Sequence, residues 1–338
     1  MGFDPVKPII YSRHTAAADS KAKDPMQDST TVLRRPLRIS VVIPHLNQPA
    51  LLARCLAALR AGTRQPDEII VVDNGSASLP QAICEAIPGV RLLQEPQPGP
   101  GPARNLGVAA STGDVLAFID ADCLADPAWL AEAAQAMTDP QATILGGDVR
   151  IAYADPAHLT MLEAYESIYA YRMDRYIARE GFTGTGNLVV RRRVLADVGP
   201  FAGIGVAEDR DWGQRATAKG YRIRYVAQMK VYHPARTSFS ELRQKWDRHM
   251  AHDFIRGRQR QGGRVKWAAK MLAMAISPVA ELGRIVMSDR IIGVRARTLA
   301  FVGLTRIRLY RTAQMAWLLT GGDPEQLAAR WNRPQQML

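Results

Sequence analysis

The sequence predicts an α/β fold with a mostly parallel central sheet, and three observations carry the prediction. From Ile39 onward, short β-branched runs alternate with amphipathic helical patterns. Three of those runs lead into polar side chains, at Asn47, at Asp73 and at Asp120 with Asp122. The chain has 338 residues, 47% of them hydrophobic, which is enough to bury the core such a sheet needs. Ligands of open α/β sheets collect at the carboxyl ends of the strands, so three polar strand tips predict a single crevice.

The elements follow in order. Residues 1–36 mix Lys, Asp, Ser, Thr and Pro without apolar periodicity; they predict a mobile arm and lack the apolar run of a secretory signal. "ISVVIP" (39–44) is a strand stopped by Pro44. Asn47 is placed to cap the next helix, with Pro49 in its first turn and Leu52, Cys55, Leu56 and Leu59 on one face. "EIIVVD" (68–73) and "VRLLQ" (90–94) are the next strands. A Pro- and Gly-rich loop, "EPQPGPGPARNLG" (95–107), leads into a short helix. "VLAFI" (115–119) then reads as a fully buried strand that delivers Asp120 and Asp122 at its tip. After Asp148 the pattern loosens. Residues 156–180 predict a helix carrying Tyr165, Tyr169, Tyr171 and Tyr176, with Tyr153 just before it. "FTGTGNLVVRR" (182–192) is a glycine loop running into a strand. Residues 206–226 predict a helix with an acidic first turn and Gly220 as its C-cap. "KVYHP" (230–234) is a short last strand.

The formal net charge of +12 is unevenly placed. Residues 1–235 hold 25 Lys/Arg against 25 Asp/Glu, and residues 236–338 hold 19 against 7, so the whole excess lies in the last segment. A basic surface seeks phosphate. No zinc-finger, RNP-type aromatic or basic-zipper pattern is present, and no nucleic-acid partner is expected. The uncharged stretch "MLAMAISPVA" (271–280) reaches only about half the ~20 residues of a membrane span. The C-terminal helices therefore read as amphipathic, lying on a membrane surface or pairing two subunits in a homodimer. Cys55, Cys84 and Cys123 are odd in number and lack metal-ligand spacing, which predicts reduced thiols in a cytosolic setting.

Two carboxylates one residue apart at a buried strand tip repel each other, and a cation or a set of hydroxyls relieves the cost. Asp122 is the candidate metal ligand; Asp120 is placed to reach a ribose or a metal-bound water. A turn or capping aspartate would read the same way. Asp73 can accept from ribose hydroxyls or a base N–H, while "DNGS" (73–76) is equally a tight turn. Arg104, at the start of its helix, can meet a diphosphate or simply face solvent.

Six blocks occur in the order and spacing of one family: "ISVVIPHLNQPALLARCLAAL", "PDEIIVVDNGS", "GPARNLGVAASTGDVLAFIDADC", "GTGNLVVRRRVLADVGPF", "EDRDWGQRATAKGYRIRYV" and "VYHPART". Over residues 38–236 the chain resembles the family 2 glycosyltransferases. The resemblance implies the GT-A nucleotide-sugar-binding fold and transfer of a sugar from a nucleotide sugar with inversion, using Mg²⁺ or Mn²⁺. It implies that Pro44, Asn47 and Asp73 line the nucleotide pocket, with Asn74 and Ser76 alongside and Arg104 near base or phosphate. Asp120, Ala121 and Asp122 match the family's DxD motif. Gly184, Thr185, Gly186 and Asn187 match the loop beside the donor sugar. Asp209, in the pair Glu208–Asp209, matches the catalytic base. His233 sits where relatives place a further metal ligand, although a lone histidine after a strand also serves structure.

An inverting displacement needs a carboxylate to take the acceptor proton, and charge on the departing diphosphate needs compensation. Glu208 and Asp211 are rival bases, or Glu208 orients the acceptor; for Asp211 the preferred reading is packing and an ion pair with Arg215 on its own helix. The Gln-X-X-Arg-Trp motif of processive relatives is absent, as "RQKWDRH" (243–249) lacks that spacing, which implies addition of a single sugar. His45 stands where relatives often carry Thr or Ala. The expected organisation is an arm (1–36), a catalytic domain (37–236) and a basic amphipathic helical region (237–338). The expected setting is the inner face of the cell membrane, with a UDP-sugar donor and a lipid-linked or envelope glycan acceptor. A sugar nucleotidyltransferase would need a Gly- and Arg-rich loop after the first strand, which "PHLNQPA" is not. A non-catalytic basic membrane-binding protein is the remaining alternative.

Overall fold

The first strand, β1 (Ile39–His45), is apolar on both faces because it lies inside a sheet covered on both sides. The computed structural model describes residues 37–258 and 262–329; the arm expected over 1–36 lies outside the described residues. β1 is followed by α1 (Pro49–Arg60), β2 (Glu68–Asp73), α2 (Gln81–Glu85), β3 (Val90–Gln94), α3 (Pro100–Ala110) and β4 (Val115–Phe118). Next come β5 (Leu124–Ala125), α4 (Trp129–Ala136), β6 (Ile144–Ala152), α5 (Met161–Tyr169) and α6 (Met173–Glu180). A 3-10 turn (Thr185–Asn187) leads to β7 (Leu188–Arg191), α7 (Arg192–Val198), α8 (Glu208–Ala218) and β8 (Ile223–Pro234). The C-terminal helices are α9 (Phe239–Arg258), α10 (Gly263–Ala280), α11 (Leu282–Val286), α12 (Val294–Leu319) and α13 (Pro324–Ala329).

The strands form one sheet in the order β3-β2-β1-β4-β7-β6-β8-β5. The first four are mutually parallel and β7 enters antiparallel to β4, so the parallel half matches the expectation from sequence. The β1–β2 register sets His45 opposite Asp73 at the carboxyl ends of both strands. α1, α2 and α4 bury Leu52, Leu56, Cys84 and Trp129 against one face. α3, α7 and α8 bury Val108, Leu195 and Trp212 against the other. In the C-terminal part, α9, α11 and α12 share a core with α5, built on Tyr165, Ile168, Leu242, Ile285 and Leu304. Gly303 permits that contact, since a Cβ there would sit 2.9 Å from the Tyr165 Cβ.

Four expectations need correction. Asn47 does not cap α1. Its backbone is left-handed (φ 53°), Gln48 is the N-cap residue, and the Asn47 amide oxygen instead accepts from the Ala77 N–H in the loop after β2. The helix expected over 156–180 is two helices, broken at Ala170–Arg172, where Tyr171 is also left-handed (φ 49°). The helix expected over 206–226 ends at Ala218, and the last strand starts at Ile223 instead of Lys230. β6 carries no legible periodicity because Gly146 and Gly147 answer to close neighbours. A Cβ at Gly147 would lie 2.1 Å from the Met229 carbonyl oxygen.

Candidate active site

The carboxyl ends of β1, β2 and β4 open into a cleft of about 660 Å³. Pro44 and Asn74 line it from the first two strands, Arg104 from α3, and Asp120, Ala121 and Asp122 from the tip of β4. Gly186 lines the opposite wall, with Glu208 and Asp209 from the start of α8 and His233 from β8. Ten sequence-predicted site residues thus share one cavity.

Arg104 is the hinge of the site's electrostatics. It is almost fully buried, and its two terminal nitrogens donate to different carboxylates, Nη2 to Asp120 Oδ1 at 2.6 Å and Nη1 to Glu208 Oε1 at 2.9 Å. This chain ties the strand tip that carries Asp122 to the helix start that carries Asp209. It also occupies Glu208, leaving Asp209 as the freer carboxylate. Asp209 takes one short local bond, from the Arg210 N–H to Oδ1, and its other oxygen lies toward Gly184. Burial, and then the neighbouring Glu208 charge, push its carboxyl above the ordinary range. Asp211 pairs with Arg215 at 2.9 Å, as its spacing predicts. Gly186 is required for a different reason. A Cβ there would lie 2.7 Å from Asp120 Oδ2, so only glycine lets the loop close onto that carboxylate.

Asp122, Cys123 and His233 bring ligand atoms within 4.8 Å of one another. The His233 Nδ1 lies 2.6 Å from the Pro234 carbonyl oxygen, which assigns the proton to Nδ1 and leaves Nε2 facing Asp122 Oδ2 at 3.5 Å. Burial pushes the Asp122 carboxyl upward; His233 opposes that shift and the Asp120 charge adds to it. Cys123 is a buried thiol pushed well above its ordinary range, which makes it a poor ligand for a hard cation. One carboxylate and one imidazole facing each other fit a divalent ion of the Mg²⁺–Mn²⁺ kind, the imidazole favouring Mn²⁺. Tyr171, from the break between α5 and α6, packs on the His233 ring with centroids 4.6 Å apart.

Four predicted residues, Asn47, Asp73, Ser76 and Asn187, do not line the cleft. Asp73 is buried; its Oδ2 receives the His45 Nδ1 at 2.9 Å, and its Oδ1 accepts from the Gly75 and Ser76 N–H groups. Burial alone would raise its carboxyl, but these hydrogen bonds outweigh it and hold the group below the ordinary range. Ser76 accepts from the Asn47 N–H at 2.8 Å, so both belong to the same turn network. Asn187 is fully buried. It donates to the carbonyls of Asp148 and Met229 and accepts from the Trp129 indole, which pins the glycine loop from below. Even Asn74, which does line the cleft, spends its amide on Glu95, Gln97 and Gly99 backbone groups.

Sequence reasoning missed Tyr171, Tyr176 and Lys245, all of which line the cleft. Lys245 comes from α9. It has no carboxylate partner among the described residues, and burial, reinforced by nearby Arg236, pushes it down to about 8. Its sequence signal was the basic stretch "RQKWDRH", read there only for its tryptophan. A second cavity of about 540 Å³ touches the other side of Asp122 and is lined by Leu51, Arg54, Met161, Phe239 and Arg306 among others.

The family model described as glycosyl transferase family 2 matches residues 40–199. Glycosyltransferase AglE of Haloferax volcanii is 33% identical over 215 residues, which is 61% of this chain and 70% of that protein. The pre-mycofactocin glycosyltransferase of Mycobacterium tuberculosis is 29% identical over 217 residues, 60% of this chain but 44% of that protein. Among solved structures, the mannosyltransferase PcManGT from Pyrobaculum calidifontis, in complex with GDP-Man and Mn²⁺, superposes with a TM-score of 0.55 over 89% of each chain at 18% identity, a likeness of fold. With the motif blocks gathered on one GT-A cleft and a relative of this identity matched over most of its length, the chain belongs to glycosyltransferase family 2.

Proposed function

We propose that this glycosyltransferase moves a single sugar, with inversion, from a nucleoside-diphosphate sugar (a UDP-sugar foremost) to a hydroxyl of a lipid-linked or cell-envelope glycan, with Asp209 as general base. The observation that carries the reading is that Asp122 and Asp209 face one cleft, joined through Asp120, Arg104 and Glu208. The nucleoside lies against Pro44 and the loop that Asn74 holds, and the sugar lies in the cleft beside Asp120 and the Gly184–Gly186 loop. Asp209 takes the proton from the acceptor hydroxyl as its oxygen attacks the anomeric carbon. A raised carboxyl suits this task, because a base is most useful when its pKa approaches the working pH. Glu208, held by Arg104, fixes the start of α8 and so aims Asp209. Asp122 and His233 would hold the divalent ion, which when bound supplies positive charge against the departing diphosphate. Lys245, in no ion pair with a carboxylate among the described residues, is placed to add charge of the same sign. The second cavity supports a phosphate-bearing, partly apolar acceptor: Arg54 and Arg306 have no carboxylate partner among the described residues, and Leu51, Met161 and Phe239 stand beside them. The inner face of the membrane is the setting we assign.

Transfer or hydrolysis from a panel of UDP- and GDP-sugars, with Mn²⁺ and after chelation, tests the reading. Asp209→Asn is expected to lose about 10²–10⁴-fold in kcat with donor binding kept. Unchanged turnover in that variant would remove Asp209 from its role, and no turnover of any sugar nucleotide by the wild type would remove the reaction.

A further inference from the structure

Helix α10 has no charged residue from Met271 to Ala280, yet only one of its faces is covered. Trp267, Met274 and Pro278 point into the core, while Leu272, Ile276 and Val279 face outward. Exposed apolar side chains follow at Val286 on α11 and at Met287 and Ile292 in the turn before α12. These six side chains are between 61 and 91 per cent exposed. Isolated exposed leucines are ordinary; six such side chains within residues 272–292 are not, and the charges among them, Glu281, Arg284, Asp289 and Arg290, are each held in an ion pair. A helix apolar all round belongs where something covers it.

We propose that this α10–α11 face, with the turn that follows, is the docking surface of the protein for an anionic lipid bilayer, with α10 lying flat in the interface. The charge around the patch selects that occupant. Between residues 262 and 297 there are seven Lys/Arg and two Asp/Glu. The two acids, Glu281 and Asp289, are already paired, with Arg284 and with Arg150. Arg264, Lys266 and Arg295 flank the apolar face in sequence. An apolar strip inside a positive field matches lipid tails beneath acidic headgroups. A second copy of the chain does not match, because a two-fold contact would set the same positive field against itself. Insertion stops at the interface, since no helix among the described residues is long and apolar enough to cross a membrane.

The test is co-sedimentation of the whole protein with phosphatidylcholine vesicles, with and without phosphatidylglycerol, at low and high salt. Binding is expected to the phosphatidylglycerol vesicles and to weaken with salt. Ile276→Ser is expected to lower partition about tenfold, and combining it with Met287→Ser and Ile292→Ser to abolish it. All three positions are exposed, so the fold and transfer to a soluble acceptor should be unaffected. Asp209→Asn should bind vesicles as the wild type does, which keeps this result separate from the fate of the transfer reaction. Wild-type protein left in the supernatant with both vesicle types overturns the proposal. So does vesicle binding that the triple variant retains, or a wild-type dimer in light scattering that the triple variant converts to monomer.

Discussion

At the residue scale, the site turns on which carboxylates are already satisfied. Asp73, Glu208 and Asp120 each have a close side-chain partner, Asp73 on His45 and the other two on Arg104, whereas Asp209 and Asp122 sit half-buried in the cleft with their carboxyls pushed upward. A partly desolvated carboxylate with no cation paired closely to it is costly to ionise unless a substrate or ion completes it, which is why these two groups mark the chemistry. The strand pattern singled out Asp120 and Asp122, and the family resemblance singled out Asp209. The sequence left Asp73 open between binding and structure, because a turn aspartate and a ligand aspartate read identically until their partners are known. Lys245 shows the converse, a residue of no motif that the fold carries into the cleft. Lys245→Met is expected to raise the KM for the sugar nucleotide about tenfold or more, the scale of a hydrogen bond to a charged group, with a smaller change in kcat. Its pKa near 8 gives the sign of the pH effect. The ammonium is present below that pH and lost above it, so wild-type kcat/KM should fall as pH rises through about 8. The methionine variant should lack that limb. A profile that falls identically in both proteins would assign the limb to another group.

At the scale of elements, the parallel strands were legible because each is a short β-branched run bounded by Pro, Asp or Gly. The break between α5 and α6 was not. Helical periodicity runs through residues 156–180, and only the tertiary contact of Tyr171 with His233 makes the left-handed turn worth its strain. Likewise β6 hides behind Gly146 and Gly147, whose absent side chains are demanded by neighbours distant in sequence. The α5–α12 contact depends on the same kind of vacancy. Gly303→Val should push α12 off Tyr165 and Met161, costing about 1–3 kcal/mol and several degrees in a thermal melt. A melting temperature equal to wild type would mean the two helices tolerate more separation than their packing implies.

At the scale of the whole molecule, donor, metal side and base are assembled from segments more than a hundred residues apart, so ligand binding should report on the complete fold. UDP with Mn²⁺ is expected to raise the melting temperature, by about 2.7 kcal/mol of added stability at a hundredfold excess over Kd. Chelation should reverse the metal-dependent part. Asp122→Ala should lack that part while melting near the wild type when no ligand is present. A shift of the same size in Asp122→Ala would move the ion elsewhere. The sequence by itself determined the alternation of strands and helices, the parallel half of the sheet, the acidic strand tip and the basic charge of the last hundred residues, because periodicity and local composition encode each of these. The tertiary structure alone decided which carboxylates Arg104 ties down, that α9 lends Lys245 to the cleft, and which face of α10 stays uncovered. Those outcomes depend on contacts between residues far apart along the chain, and no local pattern records them.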